Sequence, residues 1–172
     1  NSLPVYGLQA RGVNGTGDLH TAVSEMATYY IKVIREFQPQ GPYHIGSWSM
    51  GVVVAFEMAL QLQAEGERVG MVALIDQGPD CPADEPEDDA AYLVEVFGKH
   101  LSLSLEQLRR FNAEDQLVYV WETARKANWV YPEFTLPLFK QFVHVLKVHT
   151  NAMRQYVPKT YNGRVTLFRA VE

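Results

Sequence analysis

Apolar residues change their spacing along the chain, and each change predicts an element. Val23, Met26, Ala27, Tyr30, Ile31 and Ile34 recur at three- and four-residue steps until Pro39 and Gly41, which predicts an amphipathic helix from about Thr21. Tyr43–Trp48 is short and lies between Gly41-Pro42 and a cluster of small residues, the pattern of a strand. Met50–Gln63 is apolar on nearly every side and long enough for a buried helix, so Ser49 stands at a strand-to-helix junction. Gly66 suits a left-handed helix cap, and Val69–Ile75 then predicts a buried strand ending at Asp76. Ahead of all these, Pro4–Gln9 is an apolar run before the Gly-rich segment Ala10–Asp18, and it predicts a first strand and a surface loop. The resulting order, β-α-β-α-β, is that of an α/β protein with a mostly parallel sheet and helices on both faces.

Beyond Asp76 the pattern becomes helical. Gln77–Asp89 holds three prolines, Cys81 and a group of acids, and is expected to be an exposed loop. Leu93, Val96 and Phe97 give one apolar face, Leu105 and Leu108 a second, and Leu117, Val120, Trp121 and Ala124 a third. Phe139, Phe142, Val143, Leu146 and Met153 give a longer fourth, closed by Pro158. Tyr161-Asn162-Gly163 is a turn signal before the strand-like Arg164–Ala170. One domain is expected, with its core at about 1–80 and 159–172 and a helical insertion at about 89–157.

Composition narrows the function. A 172-residue chain with 47% hydrophobic residues can bury a core within one domain. Its formal net charge of -5, without a Lys/Arg run, offers no grip on a phosphate backbone, so no nucleic-acid partner is expected. Cys81 is the single cysteine, which rules out an intrachain disulfide and suits a cytoplasmic setting. The apolar stretch at Gly51–Leu60, interrupted by Glu57, is too short to span a bilayer, and Asn1–Leu8 has no signal-peptide character.

The junction at Ser49 carries the candidate chemistry. A nucleophilic serine is held in a tight strand–turn–helix elbow, with small residues on either side so that strand and helix pack closely and backbone N–H groups face a developing oxyanion. Ser47-Trp48-Ser49-Met50-Gly51 fits that elbow, with serine where the usual pattern has its first glycine and Gly46 one place earlier. Five letters of this kind are common by chance. Asp76 follows the next strand, where a carboxylate reaches the same sheet edge, and spacing alone leaves it equally a loop acid or a helix cap.

From Val5 to Ala170 the sequence resembles the type I thioesterase domains that end nonribosomal peptide synthetases and related polyketide and fatty-acid synthases. The matching stretches are VYGLQARG, MATYYIKVIREFQPQGPYHIGSWSMG, VVAFEMALQL, VALID and NGRVTLFRA. The resemblance implies an α/β-hydrolase fold and a serine thioesterase that takes an acyl or peptidyl chain from the phosphopantetheine arm of a carrier protein. It has no cofactor or metal of its own, and it releases its product by hydrolysis or by macrocyclisation. By position it makes Ser49 the nucleophile, Asp76 the acid and the Met50 N–H an oxyanion donor, with a helical lid over about Asp89–Val157. It places the catalytic histidine after Arg164–Ala170, and the strand and loop with the second oxyanion N–H before Asn1. The 172 residues by themselves are therefore expected to turn over very slowly.

Other residues have plainer readings. His20, His44, His100, His144 and His149 are expected at surface or core positions rather than in a triad. Trp48 and Met50, which flank Ser49, either line the acyl site or simply pack. Trp121, Trp129, Tyr131, Phe134, Phe139 and Phe142 fit a helical core better than a substrate channel. Asp84, Glu85, Glu87, Asp88 and Asp89 lack metal-ligand spacing and suit a solvated loop. Two alternatives stay open: an esterase of the same fold acting on a free ester, and a non-catalytic module that binds an acylated carrier protein.

Overall fold

In the computed structural model, residues 4–80 and 85–169 are described; Cys81 and Asp84 lie outside them. The elements run α1 (Val23–Phe37), β1 (Tyr43–Trp48), α2 (Gly51–Ala64), β2 (Val69–Ile75), α3 (Asp89–Leu101), α4 (Leu105–Leu108), α5 (Ala113–Lys126), α6 (Leu136–Arg154) and β3 (Val165–Phe168). The strands form one parallel sheet in the order β1-β2-β3. Residue contacts divide the chain into a sheet unit, residues 4–11, 17–80 and 145–169, and a helical unit, residues 12–16 and 85–144.

In the sheet unit, period-two alternation sends Tyr43 and Ile45 of β1 and Val72 and Leu74 of β2 to one face. There they are buried with Ala27 and Ile31 of α1 and Val52, Ala55, Met58, Ala59 and Leu62 of α2. Glu57 interrupts the apolar surface of α2, and its carboxylate accepts from the Tyr156 hydroxyl (2.7 Å) and from Gln61 Nε2 (2.9 Å). Burial, and then that carboxylate, push the Tyr156 phenol well above its ordinary range. Gly66, at φ +78°, ends α2 in a Schellman turn: its N–H bonds the Gln63 carbonyl and the Glu67 N–H bonds that of Leu62.

Two features differ from the sequence pattern. Pro4–Gln9 is no strand: the segment has no regular structure and Val5 is 94% exposed. An apolar run becomes a strand only where a neighbour completes its hydrogen-bond ladder, and none of the three strands pairs with it. On the sheet, α1 and α2 share the core on one face, and Trp48, Met71, Ile75 and Phe168 are exposed. Finally, the division of units falls inside α6, at Val145, not near residue 157. Ala152 and Met153 belong with the sheet unit because they are buried with Val23, Met26 and Val53.

The helical unit has its own aromatic core. Phe97 and Phe139 are buried with ring centroids 5.7 Å apart, and Phe134 stands edge-on to Phe139 at 6.4 Å. Trp121 Nε1 donates to the Phe134 carbonyl at 3.1 Å. The acids before α3 have structural partners: Asp88 caps the helix, and Arg109 pairs with both Glu87 and Asp88.

Candidate active site

Strand β1 ends at Trp48 and helix α2 begins at Gly51, so the chain reverses within two residues. Ser49 makes this turn at φ +53°, a left-handed conformation that costs a residue with a Cβ about 1–3 kcal/mol. The turn is closed by the Ser49 carbonyl, which accepts from the Val52 N–H at 3.0 Å and from Gln77 Nε2 at 2.8 Å. Met50 has helical torsions and is the N-cap of α2, and no side chain bonds this cap.

The small residues at 47 and 51 face each other across the elbow: a Cβ on Gly51 would lie 3.5 Å from the Ser47 Cβ, an ordinary van der Waals contact. Ser47 Oγ is buried and has no hydrogen-bond partner among the described residues.

Asp76 stands on the same edge. Trp48 and Ile75 are Cα partners in the parallel register, so Ser49 and Asp76 each follow the last paired row, at the carboxyl ends of neighbouring strands. Asp76 also has a positive φ, +73°, which aspartate tolerates better than most residues. Its N–H donates to the Phe168 carbonyl at 2.8 Å, and its Oδ2 accepts from Trp48 Nε1 at 2.6 Å. Trp48 itself is 67% exposed. Two side-chain bonds thus cross between the loops, one from Trp48 to Asp76 and one from Gln77 to Ser49.

None of the sheet unit's histidines is hydrogen-bonded to Ser49 or Asp76 among the described residues. His44 is exposed on β1, and His20 lies tilted against the Tyr29 ring at 5.0 Å. His149 is half-buried, and its Nε2 has no partner among the described residues. Burial, and then the nearby His20, lower the pKa of the His149 imidazole from its ordinary value. In the helical unit His100 stacks on Trp129 and His144 is exposed. Among the described residues no group of three metal-ligating side chains stands together.

A nucleophile elbow with a carboxylate on the adjacent strand is shared by many hydrolases, and comparison with known proteins decides among them. The family model described as "Thioesterase domain" matches residues 1–128. The chain belongs to the thioesterase domain family. It is 34% identical over 171 residues to a dimodular nonribosomal peptide synthase of Bacillus subtilis (strain 168), covering 97% of this chain and 7% of that protein. Among solved structures it is similar to a four-domain nonribosomal peptide synthetase in its holo form, with a TM-score of 0.84 and 26% identity over 95% of this chain and 13% of that one. It is also similar to the NocB thioesterase domain in covalent complex with a fluorophosphonate nocardicin G analogue, with a TM-score of 0.62 and 26% identity over 91% of this chain and 56% of that one. This chain therefore spans only part of each protein it resembles. Its architecture is that of the α/β-hydrolase thioesterases, with a parallel sheet and helices.

This edge brings together Ser49 in a left-handed turn, Asp76 at the end of the neighbouring strand and the start of α2 at Met50, which has no side-chain cap. The sequence points to Ser49, Met50 and Asp76 as candidates but not to Gln77 or the Phe168 carbonyl, which bond the Ser49 carbonyl and the Asp76 N–H. The only sequence signal for Gln77 is an amide residue directly after the acid. Trp48, expected to line a pocket or to pack, also makes a directed hydrogen bond to Asp76.

Proposed function

We propose that this chain carries the nucleophile and the acid of a serine thioesterase that releases an acyl or peptidyl chain from the phosphopantetheine thioester of a carrier protein. In this reading Ser49 Oγ attacks the thioester carbonyl while a histidine imidazole, oriented by Asp76, takes the serine proton. The Met50 N–H, at the positive end of α2, stabilises the oxyanion. Collapse of the tetrahedral intermediate expels the pantetheine thiol, which takes up the proton and leaves an acyl-enzyme at Ser49. Water, or a hydroxyl or amine of the product itself, then frees an acid, a macrolactone or a macrolactam. The helices α3 to α6 act as a lid over the acyl chain, and the setting is a cytoplasmic synthetase.

The observation that carries this reading is the strained φ of Ser49 beside Asp76 at the ends of paired strands, in a chain of the thioesterase family. Strain of this kind persists where the surrounding structure holds it for a task. The test is covalent labelling of the full-length protein that contains this chain with a fluorophosphonate, followed by thioester turnover with an acyl-pantetheine substrate. Ser49→Ala is expected to abolish labelling and to lower turnover by about a thousandfold or more, with unchanged thermal stability. Undiminished turnover in Ser49→Ala would overturn the assignment.

A further inference from the structure

We propose that Trp48 is a positioning residue for the proposed acid: its indole N–H holds one oxygen of the Asp76 carboxylate and so turns the other toward the catalytic imidazole. The proposal rests on the assignment of Asp76 above.

The backbone of Asp76 is anchored on one side, where its N–H meets the Phe168 carbonyl. That bond fixes the main chain and leaves the side-chain torsions free. A carboxylate at an exposed strand end has two equivalent oxygens and rotates readily, yet a base of fixed tautomer needs it to accept along one direction. Trp48 supplies the missing restraint through its bond from Nε1 to Oδ2 at 2.6 Å. The parallel register makes this possible, because Trp48 lies opposite Ile75 and its side chain reaches diagonally to the next residue.

The donor chemistry suits the task. An indole N–H donates and cannot accept, so it leaves the carboxylate wholly an acceptor and exchanges no proton with it. Packing does not account for the orientation of the ring, since Trp48 is among the most exposed large apolar residues of the sheet unit. In the opposite direction Gln77, next to the acid, bonds the carbonyl of the nucleophile. Serine and aspartate are thus tied each to the other's neighbour, which restrains the two loops relative to each other.

The test compares Trp48→Phe, and 3-benzothienylalanine at position 48, with Asp76→Asn in the full-length protein. The benzothienyl ring keeps the size of the indole and lacks its N–H, so it separates hydrogen bonding from ring contact even if the phenylalanine variant folds poorly. Both Trp48 variants are expected to lower kcat about tenfold, the worth of one hydrogen bond to a charged group, with KM within about twofold of the parent. A raised KM at constant kcat would make Trp48 a pocket wall and overturn the proposal. Wild-type kcat with benzothienylalanine would overturn it too, by showing that the N–H is dispensable. Slow turnover in Asp76→Asn beside normal turnover in both Trp48 variants would overturn this proposal alone. Full turnover in Asp76→Asn would remove the acid assignment and this proposal with it.

Discussion

Helix α2 and the helices α3, α4 and α5 treat their first turns in opposite ways. At the start of α2 no side chain bonds the cap, and no acid lies in its first turn. In the helical unit Asp88 accepts from the Ala91 N–H, Ser104 from that of Gln107 and Asn112 from that of Asp115, and each first turn carries an acid. Free N–H groups and a partial positive charge gather at every helix start, and side-chain caps neutralise them. Helix α1 also starts without a side-chain cap, at Ala22, but carries Glu25 in its first turn, so α2 is set apart by having neither a cap nor an acid. Helix α2 holds without either because seven of its residues are buried, from Val52 to Leu62, whereas α5 buries three. An open helix start is thus a feature that burial elsewhere in the helix sustains.

Closing α2 should break this contrast most strongly. Met50→Asp would add an acid at the proposed oxyanion site, and turnover of the full-length protein is expected to fall about a hundredfold while its melting temperature holds or rises. Steady-state kinetics beside calorimetry would show the two moving apart. The reverse change opens a capped helix: Asn112→Ala should cost about 1 kcal/mol of stability, read by chemical denaturation, without touching the chemistry. A comparable gain of about 1 kcal/mol is expected from Ser47→Ala, which removes a buried hydroxyl without a partner among the described residues.

Acid should sharpen the contrast more gently. The Ala91 N–H above all, opposed by desolvation and aided by Arg109, holds the Asp88 carboxyl below the usual carboxylate range. A depressed folded-state pKa means that the cap stabilises α3 fully above the unfolded value, near 3.9, and loses that effect as pH falls through the folded value. Amide exchange in the first turn of α3 should therefore quicken in that acid window, while the first turn of α2, with no titrating cap, should not respond in step.

Much of this architecture is legible in local sequence. Strands β1 and β2 have the bounds their apolar runs suggest, since Gly and Pro punctuate them; burial alternates along β1, whereas β2 buries Val72, Ala73 and Leu74 in a row. Helix α2 is evident from its length and nearly uniform apolarity, and the Ser49 turn follows from a strand meeting a helix with small residues between. Pro4–Gln9 misleads because strand propensity names no pairing partner. The ties from Trp48 to Asp76 and from Gln77 to Ser49 depend on the β1–β2 register, a relation between distant segments that neither segment encodes alone. The boundary inside α6 is hidden for a similar reason: its apolar period runs on while the residues it packs against change.

The exposed indole at the elbow also gives the protein an optical voice. Of three tryptophans, Trp121 and Trp129 lie in the helical unit, and Trp48 alone emits from the sheet edge. Replacing the two helical tryptophans with phenylalanine would leave Trp48, beside Ser49, as the one tryptophan of these 172 residues. Its wavelength and intensity depend on the water and the carboxylate around it, so the arrival and departure of a chain at the edge could be timed in a stopped-flow cell without any attached dye.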